Sequence, residues 1–89
     1  MKLQNELPEL KRRIEARKEH IIKSAESFKN NKEKLGYRNF KIAFSWAAFR
    51  GLYTREEQMD LYKKYDCKDD HIETFLIKGF EEAIPGILN

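Results

Sequence analysis

The stretch that decides the fold is YRNFKIAFSWAAFRGLY, residues 37–53, which holds six of the eleven aromatic residues in this 89-residue chain. On a helical wheel its apolar residues form two faces. One face consists of Phe40, Phe44, Ala47, Ala48 and Gly51. The other consists of Ile42, Trp46, Phe49 and Tyr53. A helix that is apolar on two faces is either central to its domain or shared with a partner. The stretch therefore predicts a central helix that ends near Gly51.

A long amphipathic helix is expected before this stretch. Apolar residues recur every seven positions, at Leu7, Ile14, Ile21, Phe28 and Leu35. This spacing places them on one side of a helix that runs from about Leu7 to Leu35. Polar residues occupy the intervening positions where a coiled coil needs a second apolar residue. The helix is therefore expected to line a bundle or a dimer rather than to form a zipper.

The sequence after residue 53 predicts a helical hairpin. Thr54-Arg55-Glu56-Glu57 is a capping box, in which the side chain of each end residue accepts a hydrogen bond from the other's backbone. Turn and cap residues at 66–70 end this helix, and a wide apolar stripe begins at Ile72. Pro85-Gly86 stops the last helix. Residues 1–89 are thus expected to form a single all-α domain, a small four-helix bundle with a long N-terminal helix, an aromatic-rich central helix and a C-terminal hairpin.

The composition excludes several classes of protein. The single cysteine, Cys67, permits no internal disulfide, although small secreted domains commonly need one. No apolar run approaches the ~20 residues that span a bilayer, and the N-terminus lacks the pattern of a signal peptide. A cytoplasmic protein without membrane contact is expected.

Residues 61–77 can be laid on a helix-turn-helix motif. Asp66 then falls at the turn position that needs a left-handed backbone, which aspartate tolerates. The helix that would read DNA is acidic, with Asp69, Asp70 and Glu73, whereas neutralisation of phosphates supplies most of the affinity for DNA. These residues therefore favour a well-capped helical hairpin.

Charge is divided unevenly along the chain. Residues 1–55 carry 14 Lys and Arg against 6 acidic residues, and residues 56–89 carry 4 against 9, so the net charges are +8 and −5. The basic half is either an electropositive surface for a polyanion or a solvated helix face on which acidic and basic side chains one turn apart form ion pairs. The candidate basic surface consists of Lys11, Arg12, Arg13, Arg17, Lys18, Lys23, Arg38 and Lys41.

The second apolar face of the 37–53 helix is a candidate docking face for a protein. Trp, Tyr and Arg dominate interface hot spots because they bury large areas and keep a polar end. Trp46, Arg50 and Tyr53 lie on one side of the helix, together with Ile42 and Phe49. The alternative is that neighbouring helices of the bundle cover both faces.

No residue pattern points to catalysis. His20 and His71 are the only histidines, and neither has a second ligand at the spacing of a metal site. No glycine-rich phosphate loop occurs, and Cys67 is interpreted as a small core residue. We expect no enzymatic activity, no metal and no cofactor.

Three functions are therefore considered. The first is a non-catalytic regulator, inhibitor or adaptor that docks on a larger protein assembly, including one that handles nucleic acid. The second is a nucleic-acid-binding regulator that uses the basic half. The third is an oligomer that captures a small anionic nucleotide between basic helices. A protein partner is favoured over nucleic acid, and self-association stays open.

Overall fold

The computed structural model describes residues 3–30 and 37–89, with side chains in the second range from Asn39 onward. In these ranges a single-turn 3-10 helix, Leu3–Glu6, is followed by five α-helices. They are α1 (Leu7–Ala16), α2 (Lys18–Asn30), α3 (Tyr37–Leu52), α4 (Arg55–Tyr65) and α5 (Asp69–Ala83). The expected all-α fold is confirmed, and the described part of the chain contains no β-strand.

The N-terminal helix, expected to be continuous from Leu7 to Leu35, is divided at Arg17. This residue has φ −123° and ψ 25°, outside the helical region. α1 packs against α5, whereas α2 packs against α3. A straight helix with apolar residues every seven positions drifts by about 20° per heptad, so it cannot bury its stripe against both neighbours. Because the break redirects α2, the expectation of one continuous helix is wrong. The expected end at Leu35 lies outside the described residues.

α3 lies in the middle of the bundle, between α2 and α5. Its Phe44 ring packs against Phe80 of α5 at a centroid distance of 5.1 Å and against Phe28 of α2 at 5.9 Å. Lys41 pairs with Glu81 and Trp46 with Glu73 of α5, so the residue numbers run in opposite directions and the two helices are antiparallel. Neither α3 nor any other helix in the described ranges is long and apolar enough to cross a membrane.

The connections on either side of α4 are set by local backbone interactions. α3 continues past Gly51 and ends at Leu52. Gly51 does not adopt the positive φ of a helix-terminating glycine, so its expected role is corrected. The capping box is confirmed, since the Glu57 N–H donates to Thr54 Oγ1 at 3.2 Å and the Thr54 N–H donates to Glu57 Oε1 at 2.9 Å. Asp66 ends α4 with φ 48° and ψ 46°, the left-handed conformation that the sequence predicts.

The last helix and the residues after it complete the core. The buried residues of α5 follow the predicted stripe: Ile72, Phe75, Leu76, Gly79 and Phe80. After α5 the chain turns at Gly86, which has φ +86°. Ile87 and Leu88 then pack into the core, where they are 6% and 1% exposed. The final residues therefore contribute to the core beyond the point where the helical pattern ends.

Candidate docking surface

The side of α3 that points away from the core is only weakly charged. Asn39 and Arg50 are exposed there, and Ala43, Trp46 and Ala47 are half-buried. Each of these five residues lies three or four positions from another of the five, so their side chains share one side of the helix. We call this surface the α3 outer face. Only one of its five residues carries a charge, in a chain of which 37% of residues are charged.

Trp46 is the largest side chain of the α3 outer face and is held in place. Its indole Nε1–H donates to Glu73 Oε1 at 2.7 Å. Its ring packs edge-on against Phe49 with centroids 5.7 Å apart. The hydrogen bond uses the one donor of the indole. A side chain fixed in this way loses little conformational entropy when a partner covers it.

One border of the α3 outer face is acidic and belongs to α5. Asp70, Ile77 and Glu81 lie three, four and eight positions from Glu73, so they share its side of α5. The Asp70 side chain is 80% exposed, Ile77 is half-buried, and Glu81 pairs with Lys41 at 3.7 Å. We call Asp70 and Glu73 the acidic edge; Glu81 is left out of it, because its partner Lys41 is two positions from both Asn39 and Ala43 and so lies on the opposite side of α3.

The other border is formed by the first turns of α2. A cavity of about 70 Å³ separates α2 from α3. It is lined by Arg17, His20, Ile21, Ser24, Phe44, Ala47, Ala48, Gly51 and Leu52. Arg17 and His20 are exposed at its rim. Pockets for drug-sized ligands occupy about 300–1,000 Å³, so this cavity does not accommodate a nucleotide.

The five residues predicted as a docking face are divided between surface and core. Phe49 and Tyr53 are 1% and 5% exposed, so they are core residues and this part of the prediction is corrected. The reason is the central position of α3, because its neighbours cover this side near its C-terminal end. Ile42 and Trp46 are half-buried and Arg50 is exposed, so these three remain available for contact.

Much of the candidate basic surface is engaged within the chain. Lys11 pairs with Glu82 at 3.1 Å. Arg12 Nε donates to Glu9 Oε1 at 2.8 Å, and this interaction lowers the pKa of the Glu9 carboxyl below its ordinary value. Lys41 pairs with Glu81, as described above. Three of the eight predicted cations are thus neutralised by carboxylates of the same chain.

Arg13 has the most extensive contacts of the predicted cations. Its Nη1 donates to Glu57 Oε1 at 3.1 Å and to the Leu52 carbonyl at 2.8 Å. Its guanidinium also lies over the Tyr53 ring, 4.2 Å from the centroid. Hydrogen bonds from Arg13 lower the pKa of Glu57 to about 2, and burial raises the pKa of Tyr53 to about 12. Arg13 therefore ties α1 to the end of α3 and the start of α4.

Three of the four remaining predicted cations lie on or next to α2, and the fourth, Arg38, belongs to α3. Arg17, Lys18 and Lys23 are exposed, and no ion pair joins them to another described residue. Two glutamates, Glu19 and Glu26, alternate with them along the exposed side of α2. The side chain of Arg38 lies outside the described residues.

α4, its turn and α5 have the connectivity of a helix-turn-helix motif. Such a motif is expected to bury five residues here: Leu61, Tyr65, Cys67, Ile72 and Phe75. Tyr65 is half-buried and the other four are buried. The exposed first turn of α5 carries Asp69 and Asp70, which repel phosphate groups. The hairpin therefore has the connectivity of the motif, with charges unsuited to DNA.

Ser45 and Cys67, two side chains with nucleophilic atoms, are both buried. The Ser45 hydroxyl has no hydrogen-bond partner among the described residues. Burial raises the pKa of the Cys67 thiol, which disfavours the reactive thiolate. In the described ranges, no group of three or more His, Cys, Asp and Glu residues is arranged to hold a metal ion.

Comparison of the chain with protein-family models, with curated proteins and with solved structures finds no match. The functional argument therefore rests on the surface itself. Sequence reasoning identified Trp46 and Arg50 but missed Ala43 and Ile77. On the helical wheel Ala43 lies between the two apolar faces. An apolar residue in that position was the signal that could have identified it. Ile77 was hidden because it lies at the margin of the α5 stripe.

Proposed function

We propose that this chain is a non-catalytic regulatory protein that docks on a larger protein through the α3 outer face and the adjoining Ile42 and Ile77. The observation that carries the proposal is the state of Trp46. It is half-buried at a weakly charged surface, and its indole is already oriented by Glu73. Preorganised aromatic side chains of this kind anchor protein interfaces.

The surroundings of Trp46 resemble the anatomy of an interface. Arg50 lies one turn further along the same side of α3 and is exposed. Half-buried Ala43 and Ile77 supply apolar contact area. Charged residues at the acidic edge form a polar rim, which is the usual arrangement around an interface hot spot.

The distribution of charge favours a protein over a nucleic acid. Acidic side chains border the α3 outer face, and they disfavour approach of phosphate groups. Lys11, Arg12 and Arg13 are the densest cationic run on α1, and each is paired with a carboxylate of this chain. A polyanion would have to compete with these internal pairs.

A capture experiment with two matched variants tests the proposal. Ala43→Arg places a long charged side chain in the middle of the α3 outer face. Met59→Arg makes the same kind of change on α4, where Met59 is 50% exposed and distant from that face along the chain. We expect the wild-type protein and Met59→Arg to retain a partner protein from extracts of the native host after nuclease treatment, and Ala43→Arg to lose it.

The proposal fails if retention depends on nucleic acid or if both arginine variants retain the partner equally. Circular dichroism of each variant controls for folding. Trp46→Ala is a poor substitute for Ala43→Arg, because the Trp46 ring also packs against Phe49 in the core.

A nucleic-acid-binding regulator is the second candidate. It is supported by the exposure of Arg17, Lys18 and Lys23, which no ion pair joins to another described residue. Fluorescence anisotropy with labelled duplex DNA and RNA at low salt tests it. This candidate predicts binding that weakens steeply with salt and is lost in the triple Arg17→Ala, Lys18→Ala, Lys23→Ala variant. Absence of binding at low salt eliminates it.

A further inference from the structure

A small apolar pocket lies between the N-terminal 3-10 helix and α5. Its floor is formed by Leu3, Leu7 and Phe75, all of which are buried. Its volume is about 160 Å³. Because an apolar cavity of about 150 Å³ holds one benzene-sized group, this pocket accommodates an apolar group of about four to six carbon atoms.

The pocket and the α3 outer face lie on different sides of α5. Glu73 is directed toward α3, where it binds the Trp46 indole. Gly79 is directed toward α1, since a Cβ added there would clash with the side chain of Leu10. Leu7 lies beside this close contact and also lines the pocket. The packing of α1 on α5 therefore fixes one wall of the pocket before any ligand binds, which lowers the entropic cost of binding.

The rim of the pocket offers two hydrogen-bond donors, both on α5. Lys78 lines the pocket and is exposed, and no ion pair joins it to another described residue. Glu82, one turn further along, pairs with Lys11 instead. His71 also lines the pocket, and its Nδ1 accepts the Lys68 N–H at 3.0 Å. In the neutral imidazole the proton therefore lies on Nε2, which can donate.

The remaining polar groups of the rim are neutral. Gln4 and Thr74 line it, and the Thr74 hydroxyl donates to the Asp70 carbonyl at 3.0 Å. The Asp70 carboxylate accepts the backbone N–H of His71 at 3.0 Å. Among the described residues that line the pocket, Lys78 alone carries a full charge. One positive charge beside an apolar pocket matches a carboxylate, whose oxygens can accept from both donors, better than a doubly charged phosphate.

We propose that this pocket binds an apolar carboxylate. The apolar group lies against Leu3, Leu7 and Phe75, and the carboxylate lies at the rim, where Lys78 Nζ and His71 Nε2–H donate to it. The carboxylate belongs either to a small organic acid or to the C-terminal residue of a peptide. The site goes beyond the proposed docking function and does not rest on it, because the pocket and the α3 outer face share no residue. For a ligand of this size we expect a dissociation constant on the order of 0.1–1 mM.

Titration of the isotope-labelled chain with isocaproate, followed by NMR spectroscopy, tests the proposal. Backbone amide signals should shift around the pocket, at residues 3–7 and 71–78. Isocaproamide keeps the apolar group without the charge and should bind about three- to fivefold more weakly. Acetate keeps the charge without the apolar group and should bind at least about tenfold more weakly.

Lys78→Gln tests the charged part of the site. It should weaken binding of isocaproate about three- to fivefold and leave binding of isocaproamide unchanged. Lys63→Gln, at an exposed position of α4, makes the same change in net charge and should bind isocaproate as the wild type does. Both substitutions are at exposed positions, so both variants should stay folded.

A short peptide that ends in leucine, as the free acid and as the C-terminal amide, distinguishes the two sources of the carboxylate. Tighter binding of the free-acid peptide than of isocaproate assigns the site to peptide C-termini, and weaker binding assigns it to small organic acids. The proposal is overturned if neither isocaproate nor the peptide shifts the signals of the pocket at up to about 10 mM, if isocaproate and isocaproamide bind equally, or if Lys78→Gln and Lys63→Gln have the same effect. None of these outcomes bears on capture of a protein by the α3 outer face, so the docking proposal is judged separately.

Discussion

Arg13 provides the sharpest test of how the basic half of the chain is used. The structure assigns it to the fold, since it bonds Glu57 and the Leu52 carbonyl and lies over Tyr53. Its neighbour Arg12 has the same side chain on the same helix but is 69% exposed, and among the described residues it forms an ion pair with Glu9 alone, one turn away. Arg13→Ala and Arg12→Ala therefore form a matched pair of variants.

The expected cost of Arg13→Ala follows from these contacts. Hydrogen bonds to charged groups contribute about 1.5–3 kcal/mol when buried. The Arg13 side chain is 23% exposed, so solvent weakens its contacts, and alanine is a slightly better helix former. We expect a loss of about 2 kcal/mol in the free energy of unfolding, or roughly 8–16 °C in Tm for a domain of this size.

Urea unfolding followed by circular dichroism and by Trp46 emission measures both variants. Arg12→Ala should unfold at a midpoint close to that of the wild type, because an exposed ion pair contributes little. Arg13→Ala should unfold at a clearly lower urea concentration with an unchanged slope. Equal urea midpoints for the two variants would refute the structural role of Arg13. Arg13 would then count again as part of the candidate basic surface.

Three further predictions concern pH and two positions of α3. The pKa of Glu57 is about 2 instead of 4.5, so the stability that its carboxylate contributes is present above about pH 5 and is lost as the pH falls toward 2. Arg13→Ala should therefore reduce the dependence of the unfolding midpoint on acid pH. An unaltered dependence would contradict this role of the Arg13–Glu57 pair. Ser45 is fully buried with an unpartnered hydroxyl, so Ser45→Ala should raise the free energy of unfolding by about 1 kcal/mol, whereas a loss of stability would reveal a hidden partner. Gly51 is helical with open space at its Cβ, so Gly51→Ala should raise Tm through a gain of about 0.5–1 kcal/mol, and a lower Tm would show that the site is crowded.

Local features of the fold could be predicted from the sequence because they depend on residues close together in the chain. The capping box of Thr54 and Glu57 and the left-handed Asp66 are of this kind. The break at Arg17 was not predictable, because it arises from the different positions of α3 and α5 around the N-terminal segment. Burial of Leu88 likewise depends on where the chain turns back, and no periodic pattern indicates it.

The candidate site shows the same division. Trp46 could be identified by residue type, but burial of Tyr53 depends on the side chains that cover the C-terminal end of α3, among them Phe49 and Arg13. The ion pair between Arg13 and Glu57 joins residues 44 positions apart. Pairs of this kind cannot be found by looking for opposite charges one helical turn apart. The number of unpaired positive charges in the N-terminal half was therefore overestimated from the sequence.

Site-specific photo-crosslinking in the native host tests the central claim most directly. A photoreactive amino acid is placed at Ala43 on the α3 outer face, or at Met59 on α4 as the control. The docking proposal predicts a cross-link from position 43 to one protein other than this chain, resistant to nuclease and absent from position 59. Cross-links from position 43 to nucleic acid alone, or equal yields of the same protein from both positions, would contradict it.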